Sequence, residues 1–185
     1  MQALDLLLNR VSVGRLLAPA PDAAQRELML RAALRAPDHG QLRPWRFITI
    51  EGEARGRLGE LFAEAQAQDP ANKAEVLDKA RAMPLRAPLL LVVVACLSEH
   101  PKVPQEEQVL SAGCAAHGVL LAAQALGFGA IWRTGPLTHH PHVLAGLGLG
   151  ANEKIVGFLY LGSFEGERRS PLALETAGFV SAWQG

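Results

Sequence analysis

The chain has 185 residues, 49% hydrophobic and 19% charged, which suits one domain with a sizeable core and excludes a disordered polymer. Eighteen basic and eighteen acidic residues balance to a formal charge of zero, leaving no basic field for nucleic acid and no acidic tail. Two cysteines, Cys96 and Cys114, stand in apolar surroundings and read as buried free thiols rather than a disulfide framework.

In chain order, Leu4, Leu7 and Leu8 give a short helix over 2–9. A second helix spans 22–35, with Asp22 as N-cap and Leu28, Leu30, Ala32, Ala33 and Leu34 as apolar positions; Pro37 stops it by disfavouring helical geometry at Ala36. The loop 38–44 leads into a strand at 46–51. Helical patterns follow at 53–68 and 72–82. Pro84 and Pro88 then punctuate the approach to Leu89–Leu97, an uninterrupted Leu/Val run expected to be a strand buried on both faces. After the loop 99–104 come a long helix at 105–126, a strand at 129–133, a short helix at 139–147 and a strand at 154–162. The tail from Ser163 is longer than a core needs. With no internal repeat or linker, residues 1–185 form a single domain of the α/β sandwich type.

No charge interrupts the stretch between Glu107 and Arg133, but Ser111, His117, Gln124 and the Gly127-Phe128-Gly129 break make it too short and too polar to span a bilayer. A helix buried on all sides fits better. Its small residues, Ala112, Gly113, Ala115, Ala116, Gly118, Ala122 and Ala123, fall on more than one face. A chain this short has too few helices to surround it, so a homodimer with this helix near the interface is expected. The opening MQALDLLLNR lacks a basic segment before its apolar stretch, so no signal peptide is expected and the cytoplasm is the default location.

No protein-only catalytic apparatus is visible: there is no G-x-S-x-G, H-E-x-x-H, C-x-x-C or Walker A sequence. Gly146-Leu147-Gly148-Leu149-Gly150 follows a helix and precedes a strand, the reverse of a dinucleotide loop, and reads as a turn. His139, His140 and His142 could ligate a metal, but no acidic or thiol ligand is near them in sequence, and a solvated loop is the simpler reading. Three other segments concentrate polar groups. Arg10-Val11-Ser12 closes the first helix with a guanidinium and a hydroxyl two residues apart, a pair able to reach one phosphate or ribityl chain. Arg35 to Phe47 places hydrogen-bonding side chains between Pro37 and Pro44. Trp132-Arg133-Thr134 ends an apolar strand with an arginine that calls for a bound anion or an ion pair.

In this order and spacing the segments resemble the nitroreductase family in its compact YdjA-type form. The likeness rests on Arg35-Ala36-Pro37-Asp38-His39, Ser111-Ala112-Gly113-Cys114-Ala115, the segment Gly127-Phe128-Gly129-Ala130-Ile131-Trp132-Arg133, and Lys154 to Gly162. The resemblance implies an α+β nitroreductase-like fold, a central mixed sheet flanked by helices, and an intertwined homodimer with FMN at the subunit interface. Arg10, Val11 and Ser12 would contact FMN from one subunit, Arg35 and His39 from the other, and Trp132, Arg133 and Thr134 would complete the site. Ala122, Ala123, Gln124, Ala125, Leu126 and Gly127 would lie near NAD(P)H. The implied activity is ping-pong transfer of reducing equivalents from NAD(P)H to a nitro compound, quinone or other small acceptor; the alternative is a flavin-handling protein without efficient turnover. Val11 replaces a usual arginine and so offers only backbone. Gly14 stands where a basic residue is common, and Gln41 and Arg43 replace the usual asparagine and glutamine.

Overall fold

The structure, a computed structural model, describes residues 2–185. Its centre is the charge-free Leu/Val run. β2 (Leu89–Cys96) pairs antiparallel with β1 (Trp45–Glu51) on one side and with β4 (Glu153–Gly162) on the other, and residues 89–95 are all buried. β-Branched residues in unbroken succession suit a strand covered on both faces. β3 (Gly129–Arg133) pairs antiparallel with the outer side of β4, giving the order β1-β2-β4-β3.

The sheet is therefore antiparallel throughout rather than mixed. β2 and β3 do run in the same direction, joined by the long helix α5 (Gln105–Ala125), as in a parallel crossover unit. β4 then inserts between them, so every hydrogen-bonded neighbour is antiparallel.

Helices cover both faces. Against one lie α3 (Ala54–Ala67), α4 (Ala74–Ala82) and the short α6 (Pro141–Gly146), around Phe62, Leu90, Val92, Phe158 and Tyr160. Against the other lie α2 (Ala23–Ala33) and α5, around Met29, Leu91, Val93, Val119 and Leu159. α1 (Ala3–Asn9) contacts the end of α5 and buries none of its own residues. α2 starts at a reciprocal cap, Asp22 accepting from the Gln25 N–H and Gln25 from the Asp22 N–H. It ends two residues before the expected limit, at Ala33. Every other element lies within two residues of its sequence-based bounds, including the short helix expected at 139–147, which runs from Pro141 to Gly146. Pro136–Thr138 form a single 3-10 turn, and α6 begins at Pro141 with the His140 ring accepting from the His142 N–H. Proline opens a helix readily, because the N–H it lacks would be unpaired there.

α5 is the helix that positions the candidate site. It buries Gln108, Ser111, Ala112, Ala115, Ala116, Val119, Leu120, Ala123 and Gln124. Leu110 (69% exposed), Cys114 and His117 form an open stripe on its other side. Cys114 is thus exposed rather than buried, because it belongs to the face that this chain leaves uncovered. The helix closes with Gly127 at φ +89°. The Phe128 N–H donates to the Ala123 carbonyl and the Gly127 N–H to that of Gln124, an end that favours glycine. No helix among the described residues is long and apolar enough to cross a membrane.

Candidate functional site

Arg10-Val11-Ser12 follows α1 and is fixed from α5. The buried Gln124 amide accepts from the Val11 N–H at 3.2 Å and donates to the Asn9 carbonyl at 3.0 Å. Val11 is buried. Its N–H is already engaged, so it anchors the segment and has only its carbonyl to offer. Arg10 and Ser12 are half-buried, and neither side chain pairs with another described residue.

Two residues on, the Val13 N–H donates to the Ala130 carbonyl at 3.0 Å, tying the segment to the outer edge of β3. That bond orients the whole edge. Backbone groups of a strand point alternately to either side, so if Ala130 faces away from β4, Trp132 does too. The Phe128 carbonyl just before the strand receives the Arg168 guanidinium at 3.1 Å, from the long C-terminal tail. Arg168 lies 4.6 Å over the Phe164 ring, and its Nε is buried without a partner. Along one open strand edge the chain thus gathers Arg168, the Arg10–Ser12 segment and the Trp132 backbone. Sequence reading did not single out Arg168. Its only signal was the pair Arg168-Arg169 in a tail that the core does not need.

Trp132, Arg133 and Thr134 divide between the two faces of the sheet. The Trp132 indole turns toward α5, donates to the Val156 carbonyl at 3.3 Å and lies on Gly157, where a Cβ would overlap the indole nitrogen. Arg133 turns to the opposite face, 5.5 Å over the Tyr160 ring. Burial raises the Tyr160 phenol above its ordinary pKa, against the opposing charges of Arg133 and Arg86. The Arg133 Nε is buried without a partner, so the ion pair that sequence reasoning allowed is absent among the described residues. Thr134 is exposed just past the strand.

Arg35 and His39 belong to the connection between α2 and β1. Asp38 accepts from the N–H groups of Leu42 (3.2 Å) and Arg43 (2.7 Å), holding Gln41 and Arg43 at positive φ, 53° and 49°. Non-glycine residues rarely keep this conformation without such support. Ser111 of α5 donates to the Pro37 carbonyl. Arg35 and Arg43, both exposed, line a polar recess of about 390 Å³ with Gln41 and Trp45. The His39 ring meets Glu107 at 2.7 Å, at the N-terminal end of α5.

Gln124, which fixes Arg10–Ser12, lies at the other end of α5. Seventeen residues separate it from Glu107, about 25 Å at the rise of an α-helix. One chain therefore does not bring His39 and Arg10 onto one small ligand. Of the segment Ala122–Gly127, Ala123 and Gln124 are buried and face the core, whereas Ala125 and Gly127 are exposed. Among the histidines, His142 pairs with Glu64 of α3 at 2.8 Å, a carboxylate distant in sequence. No three His, Cys, Asp or Glu residues among those described are grouped to hold a metal.

This fold and edge define a nitroreductase-like α+β protein. The Nitroreductase family model matches residues 7–163, and the chain belongs to that family. It is similar to YdjA of Escherichia coli (strain K12), a protein named as an NAD(P)H nitroreductase, at 49% identity over 163 residues covering 88% of each chain. Among solved structures it is similar to a nitroreductase-like family protein from Bacillus cereus, with TM-score 0.84 and 23% identity over 100% of this chain and 97% of that one. It also resembles a nitroreductase with bound FMN from Bacteroides fragilis NCTC 9343, with TM-score 0.73, 23% identity and 98% of each chain covered.

Proposed function

We propose that the protein is an FMN-dependent oxidoreductase that draws reducing equivalents from NAD(P)H and passes them to a small acceptor such as a nitro compound or quinone. The observation that carries this reading is the set of uncommitted donors along the open edge of β3. Arg10 and Ser12 are positioned for a phosphate and a ribityl hydroxyl, and Arg168 brings a second guanidinium to the same edge. The Trp132 backbone supplies a donor and an acceptor for the polar rim of a planar ring, with Thr134 and Arg133 beside it. Bound FMN would supply the two-electron chemistry, which accounts for the absence of a protein nucleophile or acid–base pair. The protein's own part is to hold, orient and shield. For a quinone acceptor the balance is NAD(P)H + H⁺ + quinone → NAD(P)⁺ + hydroquinone, with reductant and acceptor entering in turn. Ala125 and Gly127 are the accessible points of the segment assigned to the nucleotide.

The working unit is a homodimer. His39, held by Glu107, stands about 25 Å along α5 from the Gln124 that fixes the Arg10 segment. A two-fold axis across the open Leu110/Cys114/His117 stripe would bring one end of this helix to the opposite end of its mate, so each site would draw Arg35 and His39 from the second subunit. The exposed tail, with Leu172, Leu174, Phe179, Val180 and Trp183 (91% exposed), offers further apolar surface to a second copy. Support for the cofactor and reductant comes from family membership, from the FMN in the Bacteroides fragilis structure and from the name of YdjA.

Purified protein should be yellow, lose its flavin absorption with NADPH or NADH under anaerobic conditions, and regain it on addition of an acceptor. Bleaching without return would support the flavin-handling alternative, and colourless protein that takes up no FMN would refute both. Sedimentation equilibrium should give twice the chain mass, and Leu110→Arg should shift it toward one.

A further inference from the structure

The face of β3 that carries Arg133 opens on a second feature. Between the end of β3, β4, α3 and the turn Met83–Arg86 lies a cleft of about 330 Å³. Its apolar wall is Phe62 and Phe158, packed edge to face at 5.3 Å, with Met83, Ile131 and Leu137. Its polar groups are Arg86, Arg133, Tyr160, Thr134 and Thr138. Thr138 is occupied, its hydroxyl donating to the Gly135 carbonyl at 2.6 Å. Both charged side chains lining the cleft are cationic, and no carboxylate faces them there. The arginine–carboxylate pairs of the described residues are made by Arg26, Arg46, Arg57 and Arg81, so Arg86 and Arg133 keep their full charge for the cleft. The Arg133 Nε is buried and unpartnered. A guanidinium held this way beside a second one costs free energy until an anion joins them.

We propose that this cleft binds an aromatic monoanion, with its ring against Phe62 and Phe158 and its acid group between Arg86 and Arg133, and that the proposed oxidoreductase takes its acceptor from this class. The size is at the lower end of small-molecule sites, right for one substituted ring and too small for a dinucleotide. The acceptor role rests on the flavin reading above; the binding site does not.

Isothermal titration of the purified protein with benzoate, which carries no reducible group, tests the site directly. Benzoate should bind at least about tenfold more tightly than benzyl alcohol, as expected for a charge-assisted contact. Arg86→Gln should remove most of that difference and Arg86→Lys restore part of it. In turnover with NAD(P)H, the ratio of kcat/KM for 4-nitrobenzoate to that for 4-nitrobenzyl alcohol should favour the acid and fall about tenfold in Arg86→Gln. Equal binding of benzoate and benzyl alcohol, or an acid-to-alcohol ratio untouched by Arg86→Gln, overturns the proposal. Failure of the flavin reading shows itself differently, as absent flavin or absent turnover while the benzoate titration still reports on the cleft.

Discussion

Gln124 gives the sharpest test of how the Arg10 corner is built. Its amide makes two hydrogen bonds, one to a buried N–H at Val11 and one to a carbonyl at the exposed Asn9. Gln124→Leu keeps the volume and removes both. Water can replace the amide at Asn9, so that loss should cost only about 0.5–1 kcal/mol, but the Val11 N–H is left buried and unpaired at about 1–3 kcal/mol. The expected destabilisation is therefore about 1.5–4 kcal/mol, read as a lower urea midpoint with an unchanged slope. FMN affinity should fall as well, because Arg10 and Ser12 flank the loosened residue. Gln124→Glu separates the two bonds. Its ionised form accepts from Val11 yet repels the Asn9 carbonyl, and its protonated form can donate to that carbonyl again, so part of the lost stability should return on acidification from pH 7 to 5. If Gln124→Leu leaves both the urea midpoint and FMN affinity unchanged, the segment is not held from α5 and the account of this corner fails.

Arg10→Ala should weaken FMN by about 1.5–3 kcal/mol, the value of a charge-assisted contact, measured by fluorescence titration of the apoprotein; unchanged affinity would place the phosphate elsewhere. Gly157→Ala should lower the Tm, because its methyl overlaps the Trp132 indole and overpacking costs about 1–3 kcal/mol; the near-ultraviolet circular dichroism of Trp132 should change with it. Glu153 is held at a pKa of about 2, chiefly by hydrogen bonds from Arg46 at 2.5 and 2.8 Å and further by the Gly150 N–H. A carboxylate depressed from its ordinary 4.5 stabilises the fold fully above that value and loses its contribution as pH falls toward 2. Arg46→Met should therefore flatten the acid limb of the stability profile between about pH 5 and 2.

The elements were legible where local chemistry and long-range packing agree. Gly127 breaks the chain after α5, Asp22 opens α2, and the Leu/Val run reads as a strand buried on both faces. The antiparallel sheet was not legible, because the insertion of β4 between β2 and β3 is a tertiary choice with no mark in any segment. Nor was the division of Trp132 from Arg133 across the sheet drawn out, although strand alternation contains it. Arg10 and Ser12 stood out by their chemistry, whereas their assignment to FMN and the roles of Arg35 and His39 came through the family resemblance. That Gln124 turns inward to hold the Arg10–Ser12 segment shows only in the fold, since a glutamine in the uncharged part of a helix looks the same in sequence whether it faces a ligand or the core. Arg168 was missed for a related reason: its significance is an unpartnered nitrogen on a strand edge forty residues away, and no spacing records that.

The placement of β2 also bears on how the chain is made. Leu89–Cys96 carries no charge and no proline and has the composition of segments that self-associate as cross-strands. One of its two partner strands, β4, ends 66 residues later. At about 5–20 residues per second of synthesis, that is several seconds during which one edge of the stickiest segment has no native mate. Pro84, Arg86 and Pro88 before it, and Glu99, Pro101 and Lys102 after it, interrupt the apolar run on both sides. Such flanks act as gatekeepers, guarding the nascent chain through an interval that the folded protein no longer reveals.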